Sequence, residues 1–167
     1  MMAERMYRLF LYLAFTILGF WISKQGNFLH KYLLGSESNP QYFTNYPCQV
    51  LPRYMDDFHL IKFTYHVYEI MNASFFHRDR RDFSEFLLHH IITIVMVGYA
   101  YGTNIIPIGG PIMLVMDASD VFVALFKLTV DAYTEIIAFP TFISMIVSWI
   151  YLRLWFFPVY LISEIWT

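Results

Sequence analysis

The 167-residue chain is 58% hydrophobic and 20% aromatic but only 14% charged, against roughly 25% charged residues in ordinary soluble domains. A water-soluble domain of this size has too little interior to hide that much apolar surface, and the mean hydropathy of +0.49 agrees, which excludes a soluble globular enzyme. The net charge of −2 leaves no basic excess, so no nucleic acid partner is expected and membrane lipids take that place.

In chain order, the first apolar run, Tyr7 to Ile22, stops where Lys24, Gln25, Gly26 and Asn27 break it. The residues Ile22-Ser23-Lys24-Gln25 offer no small-residue cleavage pattern, so a retained first span is expected rather than a signal peptide. The stretch that follows contains Gly35, Ser36, Glu37, Ser38, Asn39 and Pro40, then Tyr46-Pro47-Cys48-Gln49, and is too rich in turn formers to lie in lipid. Its aromatics Tyr42, Phe43, Tyr46 and Tyr54 suit the headgroup zone. Its one cysteine, Cys48, has no partner for an internal disulfide.

Further spans are expected at 58–76, 83–101, 105–130 and 136–162. In the fourth, Pro107, Gly109, Gly110 and Pro111 place the start of the helix proper near Pro111, where a proline suits the first turn. Pro140 and Pro158 are expected to bend or delimit the fifth. No repeat, low-complexity tract or linker divides the chain, so residues 1–167 read as a single all-α integral membrane domain of about five transmembrane helices, the first being 7–22.

The basic residues set an orientation. Arg5, Arg8, Arg78, Arg80, Arg81 and Lys127 flank the spans on the side of the N-terminus, whereas Lys24, Lys31 and Arg53 lie opposite. The N-terminus is therefore expected in the cytosol, or in the matrix if the membrane is mitochondrial.

Ionisable side chains inside a membrane are costly unless paired or hydrated, so they are candidates for function by default. His89 and His90 lie about two turns into the third span, roughly 10 Å at 1.5 Å per residue, and Thr93 follows His89 one turn on, on the same face. In the fourth span Asp117 and Asp120 share one stripe, with Ser119 between them in sequence and Lys127 continuing it two turns further. Antiparallel neighbours would bring the imidazoles and carboxylates to one depth, where a carboxylate can orient and charge-stabilise an imidazole.

The string Arg81-Asp82-Phe83-Ser84-Glu85-Phe86-Leu87-Leu88-His89-His90-Ile91-Ile92-Thr93 resembles the opening of the longevity-assurance motif of ceramide synthases, in the TLC-domain family. Asn104, Gly109, Asp117, Ser119, Asp120 and Lys127 continue the likeness at the motif's spacing. Arg8, Tyr12 and Tyr46-Pro47-Cys48-Gln49 extend it upstream. Three positions depart from the pattern: Met116 stands where the motif has His, Pro107 where it has Arg, and Ala124 where it has Glu.

The resemblance implies transfer of a fatty acyl group from acyl-CoA, as co-substrate, to the amine of a sphingoid base inside a TLC-type helical barrel. It implies an endoplasmic reticulum membrane, with the mitochondrial inner membrane as the alternative for a complex subunit. His89 would be the acyl acceptor or general base with His90 as its partner, and Asp117 and Asp120 would tune the imidazole and handle the amine proton. The chain stops shortly after Pro158, so an incomplete barrel is expected, one helix short and closed by other membrane protein chains.

Other readings of the same residues stay open. His89 and His90 also suit interhelical hydrogen bonding without chemistry, and Asp117 and Asp120 suit a structural network with Lys127. His66 and Glu69, three apart in the second span, read first as a mutually satisfied pair and second as substrate contacts. Arg78, Arg80 and Arg81 read first as a helix flank and second as contacts for the phosphates of CoA or lipid headgroups. Nitrogen and carboxylate groups suit zinc or iron, but the histidines lack repeated close spacings, so no metal and no bound cofactor is expected. Two functions result: an N-acyltransferase of ceramide synthase type, and a catalytically silent structural or lipid-binding subunit of a larger membrane complex.

Overall fold

A computed structural model describes residues 2–36, 40, 42–79, 82–132 and 135–163. Helix α1 is Met2–Gln25, α2 is Met55–Phe76, α3 is Phe83–Gly102, α4 is Ile106–Ala132 and α5 is Glu135–Trp149. A π-helical stretch, Ile150–Ile162, continues α5 without a break. Each helix is an apolar run bounded by turn formers, and lipid enforces this outcome because a backbone in hydrocarbon must satisfy its own hydrogen bonds.

The protein is an all-α integral membrane protein. Met2–Gln25, Phe83–Gly102, Ile106–Ala132 and Glu135–Ile162 are each long and apolar enough to cross a bilayer, and their outward faces expose Phe10, Ile17, Val95, Phe139 and Val147. Helix α2 falls short on apolarity rather than length, because it carries Asp56, Asp57, Lys62 and Glu69. Its buried face is polar, holding His59, Lys62, His66 and Glu69, so Lys62 and Glu69 point into the protein, while Asp56 and Asp57 in its first turn are exposed.

Helix α4 is the spine. It lies along α1 and also packs against α5, the π-helical stretch, α2 and α3, while α2 packs chiefly on α3. Arg5 bridges to Asp131 at 2.9 Å and Gly19 faces Leu114, which makes α1 and α4 antiparallel. Phe15 meets Phe58 and Tyr65 edge-on and His66 meets His90, so α2 runs antiparallel to both α1 and α3. The N-terminus of α1, the end of α2, the start of α3 and the end of α4 consequently gather at one end of the bundle, with Arg5, Arg8, Arg78 and Lys127, as the charge count requires.

At the other end the long connection folds back as a stopper. Tyr42 donates to the Phe28 carbonyl at 3.0 Å, Gln49 Nε2 to the Tyr42 carbonyl at 2.6 Å, Tyr46 to the Thr103 carbonyl and Asn104 to the Pro47 carbonyl. Tyr42 is thus a core residue, packed with Ile108, Val115, Leu152, Phe156 and Leu161, instead of the headgroup-level ring that composition suggests. The rings of His30, Tyr32, Phe156 and Tyr160 close over it, with centroids 4.6 to 6.0 Å apart.

Two local expectations are corrected. Helix α4 begins at Ile106 rather than Pro111, which lies inside it. The close approach of α2 rewards the earlier start, since a Cβ on Gly109 would lie 2.8 Å from His59 Nε2 and one on Gly110 would lie 2.4 Å from Met55 Cε. Of the two effects expected of Pro140 and Pro158, to bend or to delimit, the second does not occur: α5 runs through Pro140 and the π-helical stretch through Pro158.

Candidate functional site

The gathered helix ends leave a cavity of about 690 Å³ whose walls include Arg8, Tyr12, Lys62, Tyr65, His66, His89, His90, Asp117, Asp120, Ala124 and Lys127. The histidines of α3 and the carboxylates of α4 therefore confront each other across one polar chamber. Glu4, Arg5, His77, Asp82 and Glu85 also line it.

The two histidines differ. His90 is 6% exposed, its Nδ1 lies 2.9 Å from His66 Nδ1, and its ring is 4.2 Å from that of Phe86. A contact between two Nδ1 atoms requires one ring to carry its hydrogen there and the other to leave it bare. His89 is exposed while lining the cavity, which makes it the accessible imidazole of the pair.

The carboxylates are claimed by cations that the spacing rules did not point to. Lys62 of α2 donates to Asp117 Oδ1 at 2.5 Å, with both side chains buried. Arg153, from the π-helical stretch, bonds Asp120, donates to Ser119 Oγ at 2.6 Å and reaches the Met116 carbonyl at 3.2 Å. Arg8 bonds Glu69 at 3.1 Å and also Glu4.

These contacts revise several expectations. His66 and Glu69 do not pair with each other: His66 goes to His90 on α3 and Glu69 to Arg8 on α1, because neighbouring helices offer closer partners than the next turn. Lys127 lines the cavity, but the ion pairs of Asp117 and Asp120 run to Lys62 and Arg153. Thr93 donates to the His89 carbonyl of its own helix and stands outside the cavity wall, and Ser119, fully buried, serves Arg153. Arg78 is exposed and outside the wall, while Arg80 and Arg81 lie outside the described residues.

Sequence reasoning missed Lys62 and Arg153. Both are cations within apolar runs, and that was the available signal, since such residues need a partner at depth. Among the described residues no three His, Cys, Asp or Glu side chains converge as metal ligands. Two of the three departures from the motif fall at the site: Ala124 lines the cavity, and Met116 offers Arg153 only its carbonyl.

Helices and cavity together make this a lipid-embedded helical bundle with a charge-lined chamber at one end. The chain belongs to the TLC domain family, whose model matches residues 1–167. It is 34% identical to ASC1-like protein 3 of Oryza sativa over 74% of the chain and 43% of that protein. It is 33% identical to ceramide synthase LOH2 of Arabidopsis thaliana over 72% of the chain and 41% of that protein. With sphingosine N-acyltransferase lac1 of Schizosaccharomyces pombe the identity is 29%, over 84% of the chain and 36% of the relative. The protein is thus a ceramide-synthase-like TLC protein that spans well under half the length of these relatives.

Proposed function

We propose that the chain transfers a fatty acyl group from acyl-CoA to the amine of a sphingoid base, in the endoplasmic reticulum membrane. The observation that carries this reading is the placement of His89, His90, Asp117 and Asp120 on the wall of one cavity. A cavity of about 690 Å³ falls in the range of small-molecule sites. It suits a thioester and an amine headgroup while their alkyl chains stay in lipid.

The exposed His89 is the group placed to meet the thioester carbonyl, as acyl acceptor or as general base. His66 holds the second imidazole, that of His90, through their Nδ1 contact. The amine nitrogen forms the new bond to the carbonyl carbon, its proton passes to an imidazole, and the CoA thiolate departs.

One observation favours the second reading, a silent subunit of a larger complex: both aspartates already hold a cation, Lys62 or Arg153. Purified protein incubated with long-chain acyl-CoA and a sphingoid base separates the two. Wild type is expected to form ceramide, and His89→Ala to lose activity by about 10²- to 10⁴-fold, the usual contribution of a positioned acid-base group, with Asp117→Asn also impaired. Absence of ceramide from wild type, under conditions where a related synthase works, leaves the subunit reading.

A further inference from the structure

We propose that Lys62 is a positioning residue that holds Asp117 as a fixed, ionised acceptor for the amine of the incoming substrate; this rests on the acyl-transfer reading of the same cavity. Lys62 reaches across from α2 to place its ammonium 2.5 Å from Asp117 Oδ1. Both residues are buried, at 2% and 4% exposure. The ammonium also lies 4.5 Å from the Phe15 ring and 5.6 Å from the Tyr65 ring, so aromatic faces fix it from the side of α1 and from one turn along its own helix.

The second oxygen of the carboxylate carries the argument. Among the described residues the buried Asp117 Oδ2 has no hydrogen-bond partner, and Asp117 is part of the cavity wall. A buried acceptor left unmade is costly, and the cost is removed when a ligand brings the missing donor. Oδ1 is spent on Lys62, so the carboxylate is held in one orientation with Oδ2 left for an N–H group.

An amine or ammonium headgroup is the matching donor. Charge-assisted bonds to carboxylate are about twice as strong as neutral ones, and Lys62 keeps the carboxylate charged at a depth where a lone anion is unfavourable. Asp117 on this view binds and orients the amine, while proton removal falls to the imidazoles, because a carboxylate already neutralised by an ammonium is a poor base.

The test is equilibrium binding, to protein in lipid nanodiscs, of a long-chain sphingoid base and of the matching long-chain alcohol that lacks the amine. Wild type is expected to prefer the amine, and Lys62→Arg, which retains the cation, to keep most of that preference. In Lys62→Gln the preference should fall by about tenfold, the size of one charge-assisted hydrogen bond, with the KM for acyl-CoA unchanged. If Lys62→Gln does not fold, Lys62→Gln with Asp117→Asn restores neutrality and should bind amine and alcohol alike. Undiminished amine preference in Lys62→Gln or in Lys62→Gln with Asp117→Asn, or none in wild type, overturns the proposal. Amine preference without acyl transfer would remove the reaction and leave the role of Lys62 standing, whereas ceramide formation by Lys62→Gln with a wild-type KM for the amine would do the reverse.

Discussion

The same helices end in opposite ways. Where α2 meets α3 and α1 meets the end of α4, they stand apart around a chamber held by ion pairs, Lys62 with Asp117, Arg153 with Asp120 and Arg8 with Glu69. At the other end the loop before α2 closes the bundle with the rings of His30 and Tyr42, packed on Phe156 and Tyr160 of the π-helical stretch. Packing in a membrane has no hydrophobic drive of its own, so it relies on close contact and on polar groups that find partners. The closed end uses the first means and the chamber end the second, which leaves room there for a ligand.

That contrast is open to direct attack. The largest effect is expected at the chamber: Lys62→Leu leaves Asp117 as a lone buried charge and should cost about 3–5 kcal/mol of stability, read as a lowered Tm in detergent, with Asp117→Leu in the same background recovering most of it. An unchanged Tm for the single variant would break the claim that charge holds the open end. At the closed end, Phe156→Ala removes a ring that is 0% exposed and should cost about 3 kcal/mol, without altering binding in the chamber. Tyr42→Phe loses one hydrogen bond to the Phe28 carbonyl and should cost about 1 kcal/mol. Thr93→Val, which forfeits only a bond to its own helix, should stay within about 0.5 kcal/mol and leave acyl transfer unaffected.

Much of this arrangement was legible in the letters. Apolar runs marked the helices, and span order with helical spacing is what set His89 and His90 opposite Asp117 and Asp120 around one cavity. Partner choice was not legible, because it is decided between helices. His66 and Glu69 are near neighbours on α2, yet each bonds a residue from another helix, and Lys62 reaches Asp117 across 55 positions of sequence. Tyr42 looked like an interfacial ring, since composition does not show a loop folding back into the core. Pro111 looked like a helix start, since proline preferences do not register the close packing of Gly109 and Gly110.

Those two glycines set more than a local contact. Met55 and His59 press on them from α2, each only 1% exposed. They form a fulcrum, with Lys62 and Asp117 on the arms leading to the chamber. A methyl at Gly109 would come within 2.8 Å of His59 Nε2 and has to displace that ring, so the spacing of the two helices beside the site is set by atoms that lie outside the cavity wall.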